Sequence, residues 1–295
     1  MKFGLALPNY GPDANPEDLI QSAQLAERLG YDSIWATDHV LPSKLFPSVY
    51  QTIYEPLTVL SFLAAITQRV KLGTSILVLP LRNPAVIAKT VASLDVLSHG
   101  RVILGIGVGG GEDDRLEFQH VGVNYTDRGK RTNEYISAMR ALWCSAEPEF
   151  AGKYANFADV VAAPRPVQPG GPPIWIGGKS DAALARAASL GDGWHPNYMA
   201  AEELQTRIAK LRALRIASTR FTMSLRERVR ILKAGEGPPS SGPSAIVGMR
   251  VATEERLKRL AGAGVEYFVS VPIVNGRDDF AEQVNRFAQV AASVG

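Results

Sequence analysis

The 295-residue sequence predicts an α/β fold, a TIM-type (β/α)8 barrel with insertions after strands 2, 4 and 7. Two observations predict it. Eight short apolar, strand-like runs alternate with eight amphipathic helical runs, and a repeat of that count closes most naturally into a barrel. Nearly every polar or glycine-rich cluster falls just after a strand, the end at which such a barrel carries its chemistry.

Strands are expected at 2–7, 33–36, 71–76, 102–106, 173–176, 193–195, 221–231 and 266–271. Most are continuous apolar runs, as in parallel strands covered by helices outside and filled within. The helices between them carry readable ends. Asn15-Pro16-Glu17-Asp18 combines a cap residue, proline at the first helical position and acids in the first turn. Leu19, Ile20, Ala23, Ala26 and Leu29 then form one apolar stripe that Gly30 closes. Asn83-Pro84 opens a helix through Leu97, Ser180-Asp181 one through Leu190, and Thr253-Glu254-Glu255 one that stops at Gly264. The last helix is expected over about 278–294.

Three connections exceed what a minimal barrel needs: 37–55, 107–127 with a further excursion at 146–172, and 234–251. The first two make pocket walls or lids; the third is rich in Pro, Gly and Ser and flexible by composition. One barrel domain over 1–295 accounts for the whole length.

Hydrophobic content of 46% with 21% charged residues is that of a globular enzyme, and the net charge of +3 is dispersed, which gives no argument for nucleic acid. The single cysteine, Cys144, excludes an internal disulfide, fits a reducing compartment, and is expected to be a buried structural thiol at a helix end. Pro8 interrupts the first apolar run, and no run approaches membrane-spanning length. The expectation is a soluble, cytoplasmic protein that works on a small molecule.

Gly105-x-Gly107-x-x-Gly110 matches a dinucleotide fingerprint only formally, because it sits on the fourth strand rather than opening the first βαβ unit. It reads either as a strand end that a flat or phosphorylated ligand approaches, or as tight packing inside the barrel. Gly177-Gly178-Lys179-Ser180 leads into a helix N-terminus, whose unpaired N–H groups suit a phosphate. Asp38-His39 follows the second strand, where a histidine can move a proton near neutral pH. His195 ranks second at another strand end, His99 belongs to a helix end on the opposite face, and His120 has no companion. The four histidines show no metal-ligand spacing, so no metal is expected. Thr74-Ser75-Ile76 ends the third strand, and Tyr54-Glu55 offers a second titratable pair unless Glu55 simply begins a helix.

Leu7-Pro8-Asn9-Tyr10-Gly11, Trp35-Ala36-Thr37-Asp38-His39, Glu55-Pro56-Leu57-Thr58, Leu72-Gly73-Thr74-Ser75, Asn83-Pro84-Ala85 and Gly100-Arg101-Val102-x-Leu104-Gly105-x-Gly107 together resemble the bacterial luciferase-like superfamily. Pro173-Ile174-Trp175-Ile176-Gly177-Gly178 and Gly191-Asp192-Gly193-Trp194 extend the likeness to about Pro196. Within it, Asp38-His39 resembles the branch that uses coenzyme F420 (8-hydroxy-5-deazaflavin) rather than FMN.

The resemblance implies a deazaflavin across the C-terminal mouth. Asp38 and His39 would face its ring and the reacting centre, with His39 as proton donor and Tyr54 and Glu55 as weaker alternatives. Thr74, Ser75 and Ile76 would form a supporting bulge with a non-proline cis peptide at Ser75–Ile76. Gly107 and Gly109 would line the cofactor, and Gly177, Gly178, Lys179 and Ser180 would hold its phosphate. Asn9, Trp194 and His195 are expected to border the substrate pocket. The activity implied is hydride transfer between F420 and a small organic substrate, with an FMN-dependent monooxygenase or a catalytically silent flavin-binding barrel as alternatives. Relatives imply a homodimer. Gly109-Gly110-Gly111 is barer than the equivalent stretch of many relatives, with Glu112 following later, and 226–230 matches no substrate pattern of the family.

Overall fold

The computed structural model describes residues 1–42, 50, 52–111, 114–216, 220–238 and 245–294. Eight strands form the barrel: β1 (Lys2–Ala6), β2 (Ser33–Ala36), β3 (Lys71–Thr74), β4 (Val102–Gly107), β5 (Ile174–Gly177), β6 (Gly193–His195), β7 (Thr222–Ile231) and β8 (Tyr267–Pro272). Each pairs in parallel with the next, and β8 returns to β1 through Lys2↔Tyr267 and Phe3↔Phe268, so no sheet edge is left in the ring.

Outside run α1 (Pro16–Arg28), α2 (Pro56–Ala64), α3 (Pro84–Leu97), α4 (Asp114–His120), α5 (Arg128–Cys144), α6 (Asp181–Leu190), α7 (Ala201–Leu214), α8 (Arg250–Gly262) and α9 (Asp279–Val294). The expected caps are present: Asn15 accepts from the Asp18 N–H, Asn83 from those of Ala85 and Val86, and Ser180 from that of Ala183. The main core lies between strands and helices, from Leu5, Ile34 and Leu72 outward to Leu60, Val91 and Ile136. Burying such a side chain contributes roughly 1.5–3 kcal/mol, which is what fixes the helices to the ring.

Inside the ring, Trp35 takes the space that two glycines leave. A methyl at Gly4 or Gly73 would overlap its indole, so these strands pass close only because both positions are bare. Trp35 donates to Ser33 Oγ (2.6 Å), lies 5.3 Å from Trp175 between ring centroids, and shares an interior layer with Tyr267 and Val269. At the far end, the Arg101 guanidinium closes the barrel floor by donating to the carbonyls of Ser98, Val70, Ala64 and Thr67.

The structure differs from the sequence expectation in four places. β3 stops at Thr74, because the Ser75–Ile76 peptide is cis, and pairing with β4 resumes at Leu77–Val78. α8 begins at Arg250 rather than Thr253; Thr253 is buried, its hydroxyl donating to the Met249 carbonyl one turn back, which imitates a cap signal in the sequence. α4 lies inside the expected 107–127 loop. Cys144 is exposed at the last turn of α5 instead of buried. The 146–172 excursion contains a small antiparallel hairpin, Phe150–Ala151 with Asn156–Phe157. Within 234–251, Ile246–Gly248 extends the sheet beside β7, while 239–244 and Glu112 lie outside the described residues. Among the described residues, no helix is long and apolar enough to cross a membrane.

Candidate active site

The chain leaves β2 over the mouth through Thr37, Asp38 and His39, and buried side chains fix that turn. The Asn9 amide donates to the carbonyls of Thr37 (2.8 Å) and Tyr54 (3.1 Å) and accepts from the Thr37 N–H (2.9 Å). Asn9 is fully buried, so it ties β1, β2 and the Tyr54 segment together instead of bordering an open pocket. Asp38 accepts two hydrogen bonds from Arg82, each 2.7 Å, and a third from the Val78 N–H (2.8 Å). This bidentate pair joins the β2 end to the segment after β3. Glu55 caps α2 by accepting from the Thr58 N–H (2.7 Å) and also meets Arg82 (3.3 Å); Tyr54 directs its hydroxyl to the Ala14 carbonyl (3.4 Å). The polar atoms of Asp38, Tyr54 and Glu55 are thus engaged in holding the backbone.

His39 is braced by a residue from another element. Its Nδ1 lies 3.0 Å from Glu117 Oε2, and Glu117 Oε1 accepts from the backbone N–H groups of Val40 and Leu41, the latter at 3.0 Å. The Tyr50 ring packs edge-on against the imidazole, 4.7 Å between centroids. Burial acts to lower the His39 pKa, but the hydrogen bond and charge of Glu117 outweigh it, so His39 titrates above the ordinary imidazole value. The same contacts keep Glu117 ionised, below the usual carboxylate range despite its own burial. Nδ1 is therefore committed to Glu117.

Asp114, on the same helix, receives the N–H groups of Gly110 (2.5 Å) and Gly111 (3.1 Å). His39, Asp114 and Glu117 bring ligand-type atoms within 4.8 Å of one another. Both acids already accept from backbone N–H donors, so the cluster locks the glycine loop to the β2 turn. Histidine spacing could not reveal it, because two members come from α4.

The cis Ser75–Ile76 peptide sits where the resemblance implied. Thr74 Oγ1 donates to the Gly105 carbonyl (2.7 Å), and the Ser75 N–H donates to the Ala36 carbonyl (2.8 Å). The Ile76 side chain then lies across the ends of β4 and β5. A methyl at Gly107 would overlap its Cδ1, and one at Gly177 would come within 3.0 Å of it. The Gly105 and Gly107 positions are bare chiefly to admit the bulge and its isoleucine, the packing alternative of the sequence reading. Gly109 adopts φ +71° beside Phe118. Next to Gly177, Gly178 is exposed at φ +98°, a left-handed conformation that favours glycine, just ahead of the Ser180 cap of α6. Ser180 caps that helix, and Lys179 Nζ donates to the Tyr198 carbonyl (2.7 Å).

Two expected pocket residues lie elsewhere. Trp194 is fully buried in the outer core, donating to the Gly178 carbonyl (2.9 Å). His195 lies below the mouth, stacked on Trp35 at 4.9 Å, with Nε2 2.8 Å from Ser75 Oγ and Nδ1 2.7 Å from Ser224 Oγ. Burial, helped by the charge of Arg226, lowers its pKa to about 3, so it is a neutral cross-strut rather than an acid. Sequence reasoning missed Glu117, Arg82 and Arg226. The alternation along β7, whose residue Ser224 points inward to His195, was the one available signal for Arg226.

The luciferase-like monooxygenase family model matches residues 1–231. An F420-dependent glucose-6-phosphate dehydrogenase of Amycolatopsis mediterranei is 35% identical over 182 residues, 61% of this chain and 53% of that one. The chain spans about half the length of the first such curated relatives. An uncharacterized protein of Mycobacterium tuberculosis is 33% identical over 209 residues, covering 66% of this chain and 70% of its own. Among solved structures, the monooxygenase RslO1 of Streptomyces bottropensis superposes with a TM-score of 0.84 at 23% identity, covering 99% of each chain. An F420-dependent secondary alcohol dehydrogenase, solved with an F420–acetone adduct, gives 0.82 at 18%, covering 100% of this chain and 99% of the other. At these identities the structures share the fold. The closed barrel, the bulge after β3 and the family match over residues 1–231 place this chain in the luciferase-like monooxygenase family.

Proposed function

We propose that the protein is a coenzyme F420-dependent oxidoreductase that moves a hydride between the deazaflavin and a small organic substrate. The observation that carries this reading is His39 at the β2 end, held through Nδ1 by the buried Glu117. The names of the curated relatives and of the alcohol dehydrogenase structure support the choice of F420.

The residues present fit such a group. Ile76, partly exposed above the bare strand ends of β4 and β5, gives an apolar surface for a planar ring. The exposed Gly178–Ser180 rim, whose φ of +98° at Gly178 admits close approach, leads into the α6 N-terminus and suits its phosphate. When bound, F420 supplies a carbon centre that gives or takes hydride without activating oxygen. His39, whose protonated form Glu117 favours, delivers a proton to the developing substrate anion or recovers it in reverse. Asp38 acts at one remove: through Arg82 and Val78 it fixes the bulge that carries Ile76. The work of the chain is thus to orient two reacting carbons and hold one proton in place.

The test is binding followed by turnover. Purified protein titrated with F420 and with FMN should bind F420 more tightly, and a panel of alcohols and carbonyl compounds should then change F420 absorbance in one redox direction. Preferential FMN binding with oxygen consumption would replace this reading by a flavin monooxygenase. Tight F420 binding without turnover on any substrate would leave a silent binder.

A further inference from the structure

β7 is the longest strand of the barrel, and its inward row runs Ser224, Arg226, Arg228. Ser224 meets His195 below the mouth, so Arg226 stands one step higher, at the mouth itself. The Arg226 guanidinium reaches across to Thr37 Oγ1 (3.1 Å) beside the His39 turn. Arg226 is 8% exposed, and its Nε has no hydrogen-bond partner. Among the described residues no carboxylate pairs with it. The phenols of Tyr198, Tyr10 and Tyr50 lie around it, and Tyr10 is hydrogen-bonded to it. Arg228 points the same way: its Nε is also buried and unsatisfied, and its guanidinium lies 5.1 Å from the Tyr198 ring, as Arg226 lies 5.9 Å from it.

Burying a guanidinium without partners is strongly unfavourable, and this chain resolves it either with a set of backbone carbonyls, as for Arg101, or with a carboxylate, as Asp38 does for Arg82. Among the described residues Arg226 has neither, although the chain supplies a carboxylate to Arg82, and to Arg230 on the same strand through Glu236 and Asp279. We propose that the missing partner is the substrate: a small organic molecule carrying an oxyanion, carboxylate or phosphate, which the Arg226 fork binds while Arg228 adds charge. Tyr10, Tyr50 and Tyr198 wall its apolar body. Tyr10 and Tyr50 pack at 5.6 Å and Tyr50 touches His39, so an anion on Arg226 sets the rest of the molecule against the proton donor. This deepens the oxidoreductase reading and rests on it only for the role of His39.

Ligand-induced thermal shifts of the full chain at constant ionic strength test the proposal, with benzoate, phenyl phosphate and neutral benzamide as probes. Saturable stabilisation by benzoate or phenyl phosphate is expected, with benzamide inert, and the better of the two identifies the anionic group. Arg226→Met should weaken that binding at least tenfold and Arg228→Met less. Arg226→Lys, which keeps the charge and loses the fork, should fall between wild type and Arg226→Met. Without probe, Arg226→Met should melt no lower than wild type, because an uncompensated buried charge has been removed; a purely structural arginine would lower the melting temperature. Equal binding of benzamide, equal binding by Arg226→Met, or no binding of either anion would overturn the proposal. F420 affinity, measured separately by its fluorescence, should be unchanged in Arg226→Met. Failure of the wild type to bind F420 would remove the cofactor reading and leave the anion site standing.

Discussion

Glu117 holds His39 from across the mouth: one carboxylate oxygen lies 3.0 Å from Nδ1, and the other accepts the backbone N–H groups of the two residues that follow the histidine. A single buried acid therefore sets the position, tautomer and charge of the imidazole. The pairing spans 78 residues and makes His39 a better acid carrier at neutral pH than an isolated histidine.

Removing the imidazole isolates its chemical role. His39→Ala should keep the fold and F420 affinity and slow hydride transfer by roughly 10²–10⁴-fold. Single-turnover absorbance of F420 checks this, with circular dichroism for the fold; unchanged turnover would exclude His39 as proton donor.

Glu117→Gln keeps the shape and removes the charge. The His39 pKa is raised mainly by Glu117, so the variant should lose turnover at a lower pH than wild type in the direction that needs protonated His39. A fall in kcat of roughly tenfold with little change in KM is expected, since Glu117 positions another residue. A pH–rate profile superposing on that of wild type would refute the coupling.

His195 couples the fold to acid. Its folded pKa of about 3 lies below the unfolded value, so the neutral form is favoured in the barrel. Its contribution is complete above about pH 6.5 and is lost as pH falls toward 3, with a slope approaching about 1.4 kcal/mol per pH unit. Urea unfolding at pH 7 and pH 5 should show wild type losing about 2 kcal/mol more than His195→Asn. Identical pH dependence would show that another group controls acid stability.

Gly107→Ala should disturb the mouth through Ile76, because the added methyl overlaps Ile76 Cδ1. A loss of about 1–3 kcal/mol is expected, together with weaker F420 binding. Shortening the neighbour in Gly107→Ala/Ile76→Ala should recover part of the stability, and a double-mutant cycle measures the coupling. Strict additivity would mean that the two positions do not meet.

The barrel was legible because its signals are local: apolar runs mark strands, and Asn15, Asn83 and Ser180 mark helix starts within three residues. The cis bulge at Ser75–Ile76 was legible through family likeness, and the glycine approach to the α6 N-terminus from the residues themselves. Pairings across the mouth were not. Asp38 meets Arg82 at a separation of 44 residues and Arg226 meets Thr37 at 189, and nothing in either local segment indicates the partner. Trp194 and His195 were misplaced because adjacent residues on one strand point to opposite faces: one went to the helices, the other to the interior.

Ile76 lies over the ends of two neighbouring strands, both carved back to hydrogen at the points it covers. Such a floor behaves as a keystone. Evolution can remodel the tyrosine walls above it residue by residue, to suit one reactant or another. The seat beneath is less free, because a side chain added at either glycine displaces the isoleucine above it.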